Sequence, residues 1–223
     1  MKIRGNKNYF LELITIVVGI MLSFFINEWR ENSKNKEKEI TYLQNIKEEL
    51  YADTSLIRDE INILGVISRG ADTILNLNFD RPRPDSIELF IKAQTLYSTL
   101  PQRRITYHEL QQTGESRLIK NRELLRDIIN YYESVVWEIK EYNKIDENHV
   151  LNHLIPYYSA HFDMEKEKGN RQVINDLLFR NLLRFNKGFK EMQINLYKKQ
   201  LKEIEVLGNE IKNELEKLGA PTS

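Results

Sequence analysis

Asp146, His149 and His153 are spaced so that a helix would carry all three on one face. Two His side chains four residues apart can hold one metal ion between them. Two plainer readings stand beside that one. The helix has run past the core there and all three are solvated, or the histidines pack inside with hydrogen bonds. One Asp and two His fall short of the four ligands of a structural zinc site, so neither a metal nor another cofactor is expected. His149 is also of the type whose charge changes near neutral pH.

Three further sets of residues invite chemistry. Glu12 lies at the edge of a long apolar stretch, where a carboxylate marks an ion or proton path or else sits at the headgroup level. Thr15, Gly19, Ser23 and Asn27 recur every four residues inside that stretch. Small residues at this spacing let two membrane helices approach closely, and Asn27 can add an interhelical hydrogen bond. Tyr131-Tyr132 and Tyr157-Tyr158 are adjacent pairs, for which a helix predicts one ring packed and one at the rim. Motifs for catalysis are missing: there is no Gly-rich phosphate loop, no G-x-S-x-G elbow and no H-E-x-x-H. Gly114-Glu-Ser116 lies in helical surroundings and is no nucleophile elbow. The reading is non-enzymatic.

The elements that position these residues begin with the apolar stretch itself. Leu13 to Ile26 carries no charge, and the run from Tyr9 to Trp29 is about the 20 residues needed to cross a bilayer. Tyr9 and Trp29 stand where an aromatic belt would place them. A cleaved signal peptide is the competing reading, but Phe24 to Trp29 makes a poor cleavage site. A buried helix of a soluble protein is another. Basic residues flank the stretch almost equally, with Lys2, Arg4 and Lys7 before it and Arg30, Lys34, Lys36 and Lys38 after it. A short basic tail followed by a span behaves as an uncleaved signal anchor. That favours a single-pass protein of a bacterial inner membrane with its domain outside the cytoplasm.

The organisation expected is a basic tail over 1–8, a transmembrane helix over 9–29, a helical bundle over 30–218 and a disordered tail over 219–223. Charged residues make up 30% of the 223 and hydrophobic ones 41%, with only nine Gly and five Pro, which suits long amphipathic helices. Lys and Arg equal Asp and Glu at 33 each, so no nucleic acid is expected as a partner. There is no Cys, which removes disulfides and thiolate chemistry together.

Leu43, Leu50, Ile57, Leu64 and Ala71 repeat every seven residues, with Ile40 and Ile61 between. They predict one long helix that carries the span into the domain and ends near Asn78. Asn78 to Asp85 reads as a loop, and Asp85 with Glu88 as a capping box for a helix reaching about Thr99 before Pro101. A short helix from Ile105 to Gln112 ends at Gly114. Asn121 caps a long helix with the stripe Leu125, Ile128, Tyr132, Val135, Ile139 and Tyr142, limited or kinked by Pro156. Phe162 to Asn170 reads as a charged loop. A last helix runs from about Asn175 to Leu218 with Ile194, Tyr197, Leu201, Ile204, Gly208, Ile211, Leu215 and Leu218 inward. The fold expected is an all-α, long-helix antiparallel bundle with the last helix beside the first, an intermolecular coiled coil being the competitor.

The chain also resembles an uncharacterised family of small bacterial single-pass membrane proteins with a domain of unknown function. The matching residues are Glu12, Val18-Gly19-Ile20, Ile26-Asn27 and Trp29, then Leu43-x-x-Ile46-x-x-Glu49-Leu50. A second part is Tyr107-x-Glu109-Leu110-x-x-x-Gly114, then Leu118-Ile119-x-Asn121 and Tyr131-Tyr132. The chain departs from the pattern at Ser23-Phe24-Phe25. The resemblance covers nearly the whole chain and implies a membrane protein with a helical domain and no known activity. Three roles follow from the residues. The chain is an interaction or scaffold module whose partners are the lipid bilayer and another membrane helix or a second copy. Alternatively, it is a membrane-proximal sensory domain that signals through a partner. Or it is a subunit of an ion-conducting assembly with Glu12 in the pore.

Overall fold

The structure is a computed structural model that describes residues 6–78, 80, 86–162 and 171–220, with side chains from Phe10 onward. Residues 1–5, the Tyr9 ring, Asp85 with both prolines of its loop, most of the charged segment after Phe162, and residues 221–223 lie outside the described residues. The fold is all-α, with no strand among the described residues.

Helix α1 (Asn6–Leu75) is unbroken. At about 1.5 Å per residue it is roughly 105 Å long. Along its first part, every described side chain from Phe10 to Lys34 is exposed. Burial starts at Glu39 and follows the heptads, with Leu43, Leu50, Ile57, Leu64 and Ala71 all at or below 2% exposure. Ile46, Ile67 and Ile74 complete the alternate positions, and Asp53 occupies one of them. The predicted stripe is therefore the observed one, and α1 is both a projecting arm and a wall of the bundle.

The second leg of the bundle descends toward the arm, and it is not the helix predicted as far as Thr99. Helix α2 (Ile87–Ala93) is short, and residues 96–104 are an extended strap. Pro101 cannot continue a helix, and the strap's polar groups are drawn instead to partners on α1 and the last helix. Helix α3 (Ile105–Thr113) ends at Gly114, which takes φ 68°, the left-handed conformation that favours glycine. A 3-10 turn follows at Glu115–Leu118.

The third leg rises again. Asn121 caps α4 (Arg122–Asn130), its side chain accepting from Leu124 N at 3.2 Å. A π-helical segment (Tyr131–Val135), α5 (Val136–His149), a second π-helical segment (Val150–Leu154) and α6 (Ile155–His161) continue it as one rod. Pro156 does not stop the rod, because it falls in the first turn of α6, right after the wide π turn. A single turn, α7 (Arg171–Asn175), precedes α8 (Leu177–Lys217), which Asp176 caps by accepting from Phe179 N.

Helix α8 packs antiparallel along α1. Lys187 pairs with Asp72, Ser68 bonds Glu191, and Tyr51 lies over Gly208, all in one register. Just past α8, Gly219 takes φ 72° and Ala220 N donates to Leu215 O, so these two residues of the expected tail form a C-cap. The legs thus run up, down, up, down. An apolar cluster fills each end: Leu43, Leu50, Ile128, Ile204 and Ile211 near the arm, and Ile74, Ile91, Leu154, Phe179 and Leu183 at the far end.

Candidate functional site

Three places position polar groups. The first is the arm. Gly19 leaves a shallow notch lined by Ile16, Gly19, Ile20, Ser23, Phe24 and Asn27. The Thr15 hydroxyl donates to Leu11 O and the Ser23 hydroxyl to Gly19 O, each at 2.9 Å. Both hydroxyls are thus satisfied within the helix, and Asn27 is the amide left to the face. Glu12 lies on this same face, seven residues before Gly19.

The second place is a band of buried polar groups between the two apolar clusters. Lys190 and Asp146 are both fully buried, and Lys190 Nζ lies 2.6 Å from each Asp146 oxygen. The same ammonium donates to Leu96 O at 2.9 Å. Burial pulls the Lys190 pKa down and the Asp146 carboxylate opposes it. Asn186 donates to Gln94 Oε1 and to Gln94 O, and Gln94 donates to Ile67 O. One step along, the Tyr197 hydroxyl meets Ser98 at 2.8 Å and takes a bond from Asn143, which accepts from Gln193. Gln200 bonds Tyr131 and Gln102, and Asp53 accepts from both the backbone and the guanidinium of Arg103. The strap is latched to the bundle by these bonds. Two amide oxygens of the band, Asn186 Oδ1 and Gln193 Oε1, are buried without a partner among the described residues.

Asp146, His149 and His153 do share a face, but their surroundings divide them. Asp146 is inside the bundle with both oxygens on Lys190. His149 is 8% exposed, and its Nε2 donates to Leu182 O at 3.1 Å while Phe185 and Phe189 border its ring. Burial lowers its pKa from the usual 6.5, opposed by the bond to Leu182 O. His153 is exposed, its ring centre 5.8 Å from that of His149. Among the described residues no three His, Asp or Glu converge as a metal set. The solvated reading therefore fails for Asp146, and a hydrogen-bonded core histidine describes His149.

Both rings of each Tyr pair are buried, contrary to the alternation expected of an α-helix. Tyr131 and Tyr132 are at 4% and 2% exposure, and Tyr157 and Tyr158 both at 6%. The π turn puts an extra residue in one turn and brings Tyr131 and Tyr132 to the core together. Tyr157 and Tyr158 instead reach separate partners, Asp176 on the cap of α8 and Ile91 O on α2.

Lys190, Gln193, Asn186 and Gln200 were missed by the sequence reading, and a signal for them exists. The α8 stripe continues without a break in three-four spacing through Leu183, Asn186, Lys190, Gln193, Tyr197, Gln200 and Ile204. The stripe of the third leg likewise continues onto Asp146. Opposite charges at core positions of two packed helices identify the pair.

The third place is a groove of about 440 Å³ between the strap and α5. Leu100, Pro101, Val136 and Ile139 give it apolar walls, Ser98 and Asn143 a polar back, and Arg104, Lys140 and Lys144 a cationic mouth with Glu147 at one side. Compared with protein-family models, with curated proteins and with solved structures, the chain matches none.

Proposed function

We propose that the chain is a non-enzymatic, membrane-anchored module that holds a helical bundle at a fixed distance from a bilayer and docks to a partner through its membrane helix. The single observation that carries this is the continuity of α1. Its apolar stretch is wholly unburied, and the same helix becomes the central wall of the bundle without a break. A helix this apolar, uncovered by any of the described residues, is stable in hydrocarbon and unstable in water. A rigid joint then transmits position and rotation between bilayer and bundle. The bilayer is that of a bacterial inner membrane, with the bundle outside the cytoplasm.

The face of Thr15, Gly19, Ser23 and Asn27 is the docking face, for a second copy or another membrane helix. Substituting Gly19→Leu fills the notch. Crosslinking in bilayers should then show at least a fivefold loss of association, about 1 kcal/mol or more, with unchanged unfolding of the bundle. Association that survives Gly19→Leu would sink the docking face.

The groove beside the strap favours a second reading, that of a membrane-proximal sensory domain signalling through the docked partner. An ion-conducting role for Glu12 requires several copies around a pore, and replacing Glu12 by Gln should then abolish conductance of the reconstituted assembly.

A further inference from the structure

We propose that the groove between the strap and α5 binds a small soluble organic anion, a carboxylate or phosphate carried on an apolar body; this goes beyond the scaffold reading.

Charge is the first argument. The chain balances 33 basic against 33 acidic residues, yet Arg104, Lys140 and Lys144 gather at one groove with no ion-pair partner among the described residues. The single carboxylate there is Glu147. Cations collected around a low-dielectric wall focus a positive field and favour an anion.

Shape is the second. A volume of about 440 Å³ lies within the usual range for small-molecule sites, roughly 300–1,000 Å³. Ile139 and Val136 present apolar surface on one wall, and Leu100 and Pro101 on the other. Apolar walls with a charged mouth suit an amphiphilic anion better than a bare inorganic ion. The back of the groove is preorganised. Ser98 and Asn143 are both fixed by the Tyr197 hydroxyl.

Position identifies the source. Arg103, next to Arg104, bonds Asp53. From Trp29 to Asp53 the helix rises about 36 Å at ~1.5 Å per residue. Under the anchoring reading, lipid headgroups lie that far below, so the ligand comes from solution.

The test uses the full chain in phosphatidylcholine nanodiscs, with phenyl phosphate as probe and benzamidine as its cationic counterpart. Binding is read by ligand-observed NMR. Phenyl phosphate should bind saturably and benzamidine should not. Lys140→Gln with Lys144→Gln should weaken phenyl phosphate at least about tenfold with unchanged thermal unfolding, since both side chains are exposed and have no ion-pair partner among the described residues. Glu147→Gln should tighten it, an effect that loss of folding cannot produce. No saturable binding, equal binding of benzamidine, or an unchanged affinity in the double variant would each overturn the site. Weaker binding when phosphatidylglycerol replaces phosphatidylcholine would overturn the soluble source and assign the groove to headgroups.

Discussion

Replacing Asp146 by Asn leaves the Lys190 ammonium without its counter-charge in a fully buried position. Breaking a buried pair in this way costs about 3–5 kcal/mol, whereas exchanging both members for apolar residues is often neutral or stabilising. Urea unfolding should therefore show a large loss for Asp146→Asn and recovery in Asp146→Leu with Lys190→Met. A double variant as weak as the single one would mean that the bond to Leu96 O, not the charge pair, holds the strap. His149 gives a pH prediction. Its pKa is lowered in the folded state by burial, against the bond to Leu182 O and amid Asp146, Lys190 and His153. A group whose folded pKa is depressed binds its proton more readily when unfolded. Its contribution is complete above the unfolded value of 6.5 and is lost as pH falls below it. Stability should fall as pH drops below 6.5, and His149→Gln should flatten that slope. At this scale the sequence showed that Asp146, His149 and His153 share a face. It did not show which partner each would meet, because Lys190 lies far along the chain on another leg.

The elements differ in how tightly they meet. At Gly70 an added Cβ would lie 3.1 Å from Phe90 Cβ, an atom fixed to the backbone of α2. At Gly208 it would meet the Tyr51 hydroxyl at 2.6 Å, but Tyr51 is 43% exposed and its ring can swing outward. Gly70→Ala should therefore destabilise by about 1–3 kcal/mol through overpacking. Gly208→Ala should stay near neutral, because alanine gains about 1 kcal/mol of helix propensity. Chemical denaturation of both variants checks the contrast, and an equal loss at both would contradict it. Both glycines mark close approaches, and the heptad of α8 made Gly208 readable from sequence. Nothing local to Gly70 marked it, since its neighbour comes from α2. The π turns were also invisible. They follow from what the rod must bury on two sides at once, which is why Tyr131 and Tyr132 escaped the alternation expected of them.

The whole molecule is an arm and a bundle on one helix. The heptads of α1 and the caps at Asn121 and Gly114 were legible because each depends on residues near in sequence, and the return of α8 because short connections between apolar stripes force an antiparallel bundle. The second leg departs from the longer helix that its sequence predicts. Its strap is held by bonds to Asp53, Tyr197, Lys190 and Gln200, three of them on the last helix. The central claim is that the unburied stretch of α1 lies in hydrocarbon while the rest of the helix stands in water. The chain has no native Cys, so each introduced Cys is the only thiol. The measurement is a single-Cys scan of the protein in lipid vesicles with a membrane-impermeant maleimide, placed at Ile16, Leu22, Ile26, Glu31, Lys36 and Ser134. The account predicts protection at Ile16, Leu22 and Ile26 and labelling at Glu31, Lys36 and Ser134 from one side of the bilayer only. Free labelling at Leu22, at the middle of the stretch, would contradict it.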